Sequence, residues 1–142
     1  LVSQSHRDRV QSYIETGQAE GAKLICGGSA PAQEPLHRGA YLQPTLFADV
    51  SPNMTIFREE IFGPVLCALP FDREEEAVAI ANNSLYGLSG SIWTQDISRA
   101  LRVAKAIETG VLSINTGHSV HLEAPFGGYK QSGLGRELGL AV

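Results

Sequence analysis

Val65-Leu66-Cys67-Ala68-Leu69 is a continuous apolar run, and it opens the part of the sequence that determines the fold. An apolar run of this length without alternation is typical of a strand buried on both faces, as in a parallel sheet. A helical pattern follows from Asp72 to about Asn82, and Glu75 completes a capping box with Asp72. Together they predict the first strand and helix of an α/β unit.

Two more strands alternate with one more helix downstream. The strands pass through 88–92 and Val111–Ile114, and the helix between them begins at the N-cap residue Asp96 and ends at Gly110. Its inward-facing positions are predicted to be Ile97, Ala100, Leu101, Ala104 and Ile107. This alternation is that of βαβ units, which pack as a mostly parallel sheet covered by helices. The predicted fold class is therefore α/β.

The residues upstream of the apolar run add one helix and two strands. Ser5 is placed to cap a helix whose apolar residues recur at helical spacing as far as Gly17. Short apolar runs at 22–26 and 46–50 predict the strands. The segment between these runs is rich in Pro, Gln and Gly, which predicts a surface loop.

Composition excludes several classes of function. The chain has 142 residues, of which 43% are hydrophobic and 18% charged, as in one ordinary globular domain. A net charge of -4 with scattered Lys and Arg leaves no basic surface for a nucleic acid. No apolar run is long enough to span a bilayer, so no membrane partner is expected. Cys26 and Cys67 are too few for a disulfide framework and predict a reducing, cytoplasmic setting.

The pair Glu59-Glu60 is the first candidate for chemistry. Neighbours in an extended segment point to opposite sides, so these carboxylates are poorly placed as a general acid and base on one bond. A solvated surface loop is the ordinary explanation of such a pair. Phe62 shares a face with Glu60 if the segment is extended, although plain core packing also accounts for a phenylalanine.

Asn115 is the second candidate, because it ends the predicted strand Val111–Ile114 and ligands bind at the carboxyl ends of strands in α/β sheets. His118 and His121 follow three residues apart. No third ligand stands at a useful spacing and no helical pattern joins the two histidines, so no metal site is predicted.

Three other patterns are misleading. Residues 133–139 contain one residue too many for the dinucleotide fingerprint G-x-G-x-x-G, and 128–130 lack the spacing of a P-loop. Cys26 and Cys67 lie within or beside predicted strands, where a buried, inert thiol is the usual finding. No catalytic residue is therefore predicted within the chain.

Glu59–Pro64, Asn115 and Pro125–Glu137, in this order, resemble the C-terminal part of the catalytic domain of the NAD(P)-dependent aldehyde dehydrogenase superfamily. The resemblance extends from Leu1 to Gly139. It implies that 1–142 is a C-terminal segment, with the Rossmann domain, the nucleophilic Cys and the general-base Glu of the family N-terminal to it. The lack of an initial Met agrees with a piece of a longer polypeptide, and the segment alone is expected to be inactive.

The resemblance also assigns roles to residues. It implies that Glu60 accepts hydrogen bonds from the two hydroxyls of the nicotinamide ribose and that Phe62 lies beside the nicotinamide. Asn115 and the loop after it are implied to line the aldehyde tunnel, with His118, Val120 and Phe126 as lining residues. The implied cofactor is NAD or NADP, and the implied partners are a small aldehyde, the remainder of the subunit and further copies in a homo-oligomer.

Two alternatives stay open. A semialdehyde dehydrogenase of the same superfamily requires a basic residue for the ionic end of its substrate, and His118 is the nearby candidate. A non-catalytic domain that reuses the fold is the other alternative, because fold does not guarantee function. Retention of Glu60 and Phe62 favours a cofactor-binding role over the second alternative.

Overall fold

The computed structural model describes residues 1–140, apart from the side chain of His37. Contacts divide the chain into two compact units, Leu1–Pro70 and Phe71–Val142. The first unit contains α1 (Gln4–Ala19), β1 (Lys23–Cys26), a 3-10 turn (Leu36–Arg38), β2 (Thr45–Ala48), α2 (Thr55–Arg58) and β3 (Val65–Cys67). The second contains α3 (Glu74–Asn82), β4 (Tyr86–Gly87), β5 (Ser89–Ile92), α4 (Ile97–Ala106), β6 (Val111–Ile114) and β7 (Tyr129–Lys130).

Both units combine helices with parallel strand pairs, so the α/β class is confirmed. In the first unit the strand order is β1-β2-β3, with β1 antiparallel and β3 parallel to β2. In the second, β5 and β6 are parallel, and β4 pairs with β7 in an antiparallel pair. No helix among residues 1–140 is long and apolar enough to cross a membrane.

The core of the first unit forms between α1 and the sheet. Phe47 of β2 is completely buried, together with Val10 and Ile14 of α1. Ile56 of α2 and Ile61, which follows α2, join the same cluster. The segment after α2 is therefore fixed to the core at Ile61.

Strand β3 corrects one prediction. The strand forms where expected, but Leu66 is 65% exposed, so β3 is not buried on both faces. The reason is its position: among residues 1–140, β3 pairs only with β2 and lies at the edge of the sheet. Helix α2 was not predicted, since a helix of four residues is too short to show apolar periodicity.

Helix α1 differs from the prediction at both ends. The cap is Ser3 rather than Ser5, because the Ser3 side chain accepts a hydrogen bond from the backbone N–H of His6 at 3.1 Å. Gly17 does not stop the helix, which continues to Ala19. Gly17 is buried, and a Cβ there would lie 2.8 Å from Cδ1 of Ile56, so the glycine serves close packing.

The helices of the second unit begin in different ways. Asp96 caps α4 as predicted and accepts from the N–H of Arg99 at 3.0 Å. Asp72 does not cap α3. The N-cap is Arg73, and the N–H of Asp72 donates to the carboxylate of Glu76 at 3.1 Å. The acidic side chains of the first turn, Glu74 to Glu76, favour this end of the helix through its dipole.

The apolar stripe of α4 is only partly covered. Ala100 is buried as predicted, but Ile97 and Leu101 are more than half exposed. The helix also ends at Ala106 rather than at Gly110. Gly110 instead allows a close backbone approach, because a Cβ there would collide with the carbonyl oxygen of Gly127.

Lys130 ties β7 to the end of α3. Its Nζ donates to the carbonyl oxygens of Asn82 at 2.9 Å and Ser84 at 3.1 Å, and it lies 2.8 Å from the carboxylate of Glu108. The Asn82 carbonyl belongs to the last turn of α3 and Ser84 follows it, and a cation is favourable at this end of a helix. The contact explains why the Gly-rich segment beyond Gly127 is ordered rather than a loose tail.

We expect Lys130→Met to lower the free energy of unfolding by about 1 to 3 kcal/mol, because the carbonyl groups lose charge-assisted hydrogen bonds. Lys105→Met is the matched control. Lys105 is exposed, and no side-chain partner is found for it among residues 1–140. Urea unfolding followed by circular dichroism measures both variants, and an equal loss in the two would contradict this role of Lys130.

Candidate functional site

Residues Glu59–Pro64 connect α2 to β3. Ile61 is 8% exposed and packs in the core, whereas its neighbours Glu60 and Phe62 are exposed, Phe62 by 72%. The two flanking side chains therefore both lie outside the core. The core-packing explanation of Phe62 is wrong, because the buried residue of the segment is Ile61.

The backbone of this segment is not uniformly extended. Phe62 has a φ of 54°, in the left-handed region that is uncommon for residues other than glycine. Glu60 and Phe62 were predicted to share a face if the segment is extended, and this condition fails at Phe62. Both side chains are nevertheless exposed. A residue held in this conformation needs support from its surroundings.

Helix α1 provides that support. Nε2 of His6 lies 2.8 Å from the carbonyl oxygen of Phe62, and the hydroxyl of Tyr13 donates to the carboxylate of Glu59 at 2.7 Å. The carboxylate of Glu60 has no hydrogen bond or ion pair to another side chain or to the backbone of residues 1–140. Glu59 is thus an anchored structural carboxylate, and Glu60 is a free one.

Asn115 follows β6 with a φ of 55°, as Asn tolerates. Both ends of its side-chain amide bond to the backbone of Thr94: Oδ1 accepts from the N–H of Thr94 at 2.9 Å, and Nδ2 donates to the Thr94 carbonyl at 2.9 Å. Thr94 follows β5, the parallel partner of β6. Asn115 therefore joins the carboxyl ends of these two strands, where the resemblance places the start of the tunnel.

The loop after Asn115 is exposed at His118 and Val120, and Phe126 is half-buried. The His118 and His121 rings meet edge to face, with centroids 4.8 Å apart. Phe126 is fixed by backbone hydrogen bonds of 2.7 and 2.8 Å with Glu137. No group of three metal-ligating side chains is found among residues 1–140.

The structure thus places Glu60 and Phe62 in one exposed segment of the first unit, and Asn115, His118, Val120 and Phe126 after β6 in the second. Sequence reasoning missed the supports of both groups, His6 and Tyr13 for the first and Thr94 for the second. The spacing of His6 and Tyr13, seven residues apart, was the available signal, because it places them on one helix face.

The two thiols differ. Cys67 is half-buried, its thiol donates to the Ile56 carbonyl at 3.5 Å, and burial raises the pKa of that thiol. A raised pKa lowers the thiolate fraction, so Cys67 is a poor nucleophile. Cys26 is exposed. The prediction that its thiol is buried is therefore wrong. Cys26 lies on β1, whose register shifts irregularly at this residue.

A free carboxylate and an exposed aromatic ring in one segment, and a loop at the carboxyl ends of parallel strands, are features of a ligand-binding part of an α/β enzyme. The sequence profile of the aldehyde dehydrogenase family matches residues 1–142. The chain belongs to the aldehyde dehydrogenase family.

Relatives of this chain include several betaine aldehyde dehydrogenases. The chain is 55% identical to that of Rhizobium johnstonii over 142 residues, which is 100% of this chain and 29% of the relative. It is also 55% identical to that of Agrobacterium fabrum over 137 residues, 96% of this chain and 28% of the relative. The chain therefore spans less than a third of the length of these relatives.

Solved structures confirm the fold. The crystal structure of Mycobacterium tuberculosis aldehyde dehydrogenase complexed with NAD+ matches with a TM-score of 0.93 and 52% identity, over 98% of this chain and 28% of that one. Betaine aldehyde dehydrogenase from Staphylococcus aureus in complex with NAD+ matches with a TM-score of 0.94 and 42% identity, over 99% and 28%. The resemblance seen in the sequence is thereby confirmed.

Proposed function

We propose that this chain is the C-terminal segment of the catalytic domain of a longer, NAD+-dependent aldehyde dehydrogenase. Two observations support the proposal: the chain covers less than a third of its relatives, and each unit exposes large apolar side chains. Leu66 in the first unit and Trp93, Ile97 and Leu122 in the second are more than half exposed. Exposed apolar surface of this kind is typical of an interaction surface, here with the remainder of the subunit.

The observation that carries the function is that Glu60, with a free carboxylate, and Phe62, with an exposed ring, lie two residues apart in one segment. An ionised carboxylate has two oxygens and accepts from two O–H donors at once, which fits the paired hydroxyls of a ribose. The flat face of Phe62 fits contact with an aromatic ring such as nicotinamide. The described residues therefore fit the nicotinamide half of NAD+.

The proposed reaction converts an aldehyde, NAD+ and water into a carboxylic acid, NADH and a proton. When bound, NAD+ accepts the hydride, and with it both electrons, from the aldehyde carbon. Glu60 holds the ribose so that the nicotinamide ring faces the substrate, and Phe62 shields the nicotinamide end of the cofactor from water. A thiolate and a general base outside this chain are expected to form and then hydrolyse the acyl link to the enzyme.

Betaine aldehyde is the substrate to test first, because the curated relatives at 50 to 55% identity carry that name. NAD+ is proposed over NADP, because the matched crystal structures contain NAD+.

A semialdehyde remains the second candidate. The single observation in its favour is the exposed His118 in the proposed tunnel loop. A cytoplasmic location and a homo-oligomer stay predictions.

Glu60→Gln in the full-length protein is expected to weaken placement of the nicotinamide by about 1 to 3 kcal/mol, the value of a hydrogen bond to a charged group. Glu15→Gln, a change of the same type at an exposed position of α1, is the control. NAD+ titration and single-turnover NADH formation measure the effect. Unchanged affinity together with an unchanged hydride-transfer rate would remove Glu60 from the site and favour a non-catalytic domain.

Val120→Ala and Phe126→Ala are expected to change the order in which a panel of aldehydes is oxidised, more than they change NAD+ binding. Apolar pocket contacts discriminate between substrates by roughly 1 to 3 kcal/mol per methylene-sized change. Leu134→Ala, at a fully exposed position, is the control. The measurement is kcat/KM for betaine aldehyde, a neutral aliphatic aldehyde and a semialdehyde. A uniform decrease for every aldehyde would contradict the tunnel assignment.

A further inference from the structure

One face of α1 forms a platform under the segment that carries Glu60. His6, Val10 and Tyr13 are spaced four and three residues apart, so they lie along one side of the helix. His6 contacts the Phe62 carbonyl, and Tyr13 contacts the Glu59 carboxylate. Val10 lies between them on the helix and packs against Gly63, so all three side chains meet the segment that carries Glu60.

Val10 sets the distance between the helix and the segment. It is completely buried, and a Cβ on Gly63 would lie 2.6 Å from its Cγ1. Gly63 thus allows the backbone to lie directly against α1. The close approach brings the Phe62 carbonyl within reach of the His6 ring on the same helix face.

The contact with the Phe62 carbonyl requires a proton on Nε2 of His6. A carbonyl oxygen only accepts hydrogen bonds, so Nε2 must carry the proton in its 2.8 Å contact with Phe62. The other ring nitrogen, Nδ1, is buried and has no partner in the described part of the chain. The ring centroids of His6 and Phe62 are also 6.2 Å apart. His6 therefore contacts both the backbone and the side chain of Phe62.

Tyr13 fixes the other end of the same segment. Its hydroxyl bond of 2.7 Å to Glu59 restrains the residue immediately before Glu60, and buried Ile61 restrains the residue immediately after it. The carboxylate of Glu60 is free, but the backbone that carries it is held on both sides. Preorganisation of this kind reduces the entropy lost when a ligand is bound.

We propose that His6 and Tyr13 are positioning residues for the nicotinamide half of NAD+, acting through Glu60 and Phe62. The proposal rests on the proposed function, since it requires Glu60 and Phe62 to contact the cofactor. Neither His6 nor Tyr13 touches the reacting atoms. Both hold the segment in its observed conformation, with Phe62 left-handed, in which the carboxylate of Glu60 and the ring of Phe62 are exposed.

The test compares His6→Gln with His6→Asn and adds Tyr13→Phe, all in the full-length protein. The side chain of Gln is long enough to bring its amide nitrogen to the position of Nε2, and the side chain of Asn is not. Only His6→Gln therefore retains a donor to the Phe62 carbonyl oxygen. Loss of one hydrogen bond, to a carbonyl in His6→Asn and to a carboxylate in Tyr13→Phe, predicts a Kd for NAD+ that is about threefold to tenfold higher. His6→Gln is expected to retain most of the affinity.

Two more measurements separate positioning from general stability. Amide hydrogen exchange in the ligand-free protein is expected to be faster in peptides covering 59–63 in His6→Asn and Tyr13→Phe, and unchanged in β5 and β6. With NAD+ saturating, betaine aldehyde deuterated at its aldehyde carbon is expected to react more slowly than the light substrate in these variants. A loss of fold alone gives neither a local exchange change nor a new isotope effect. Glu15→Gln serves as the control on α1.

Equal behaviour of His6→Gln and His6→Asn overturns the role of the His6 donor. Glu60→Gln is expected to weaken NAD+ binding or slow hydride transfer. If it does so while Tyr13→Phe and His6→Asn match the unmodified protein in both measurements, the positioning proposal is wrong and the proposed function stands. If Glu60→Gln has no effect either, both proposals fail. Should His6→Asn not fold, Tyr13→Phe and His6→Gln decide, because Tyr13→Phe removes only one hydroxyl group.

Discussion

The 142-residue chain alone, mixed with NAD+ and betaine aldehyde, is expected to produce no NADH above a control without protein. A dehydrogenase of this kind needs a thiolate to attack the aldehyde and a base to release the acid. Cys67 is a poor nucleophile, because it is half-buried and burial raises the pKa of its thiol. Cys26 is exposed, but in the described part of the chain its sulfur bonds only to the carbonyl oxygen of Pro44, at 4.0 Å.

The assay measures NADH absorbance over hours, in a preparation free of full-length enzyme. The full-length protein with the same reagents is the positive control. Steady NADH formation by the chain would contradict the prediction. Cys26→Ser would then show whether the exposed thiol is responsible, since loss of the signal in that variant would assign the nucleophile to Cys26.

Local sequence signals predicted the fold where one signal acts alone. The strand Val111–Ile114 and the N-cap at Asp96 are confirmed with the expected residues, because a short apolar run after Gly and an Asp before an apolar pattern have no close competitor. At α1 the sequence predicted Ser5 as the cap, whereas the helix begins two residues earlier and Ser3 caps it.

Long-range contacts explain most of the errors. Gly17 was predicted as a stop because glycine is common at helix C-termini, but it lies inside α1, where the lack of a side chain leaves room for Ile56. Strands of two residues such as β4 and β7 leave no period to detect. The bonds of Tyr13 to Glu59 and of His6 to Phe62 span 46 and 56 residues, a separation that sequence periodicity does not reach.

The candidate site was predicted by resemblance and not by residue type. A Glu-Glu pair in a loop ordinarily indicates solvation, and that is true of Glu60 in this chain. Its exposure becomes informative only with the structure, because the neighbouring Glu59 is bonded to Tyr13 and Glu60 is not bonded to any side chain described here. The structure thereby distinguishes two adjacent carboxylates that look alike in the sequence.

The core of the first unit links stability to this site. Phe47 is 0% exposed and is the largest fully buried side chain of the described residues. It belongs to the same cluster as Ile61, the buried residue between Glu60 and Phe62. A cavity at Phe47 is therefore expected to affect both the stability of the unit and the order of the segment at Ile61.

Phe47→Ala is expected to lower the free energy of unfolding by about 3 to 5 kcal/mol, because it removes buried ring contacts and leaves a cavity that the sheet and α1 fill only in part. Phe71→Ala is the matched control, since Phe71 is 59% exposed and loses little burial. Urea unfolding followed by circular dichroism gives both values, and faster amide exchange in peptides covering 59–63 is expected in Phe47→Ala alone. Equal midpoints for the two variants would show that Phe47 does not hold this core together, and the argument that Ile61 fixes Glu60 through the same cluster would fail with it.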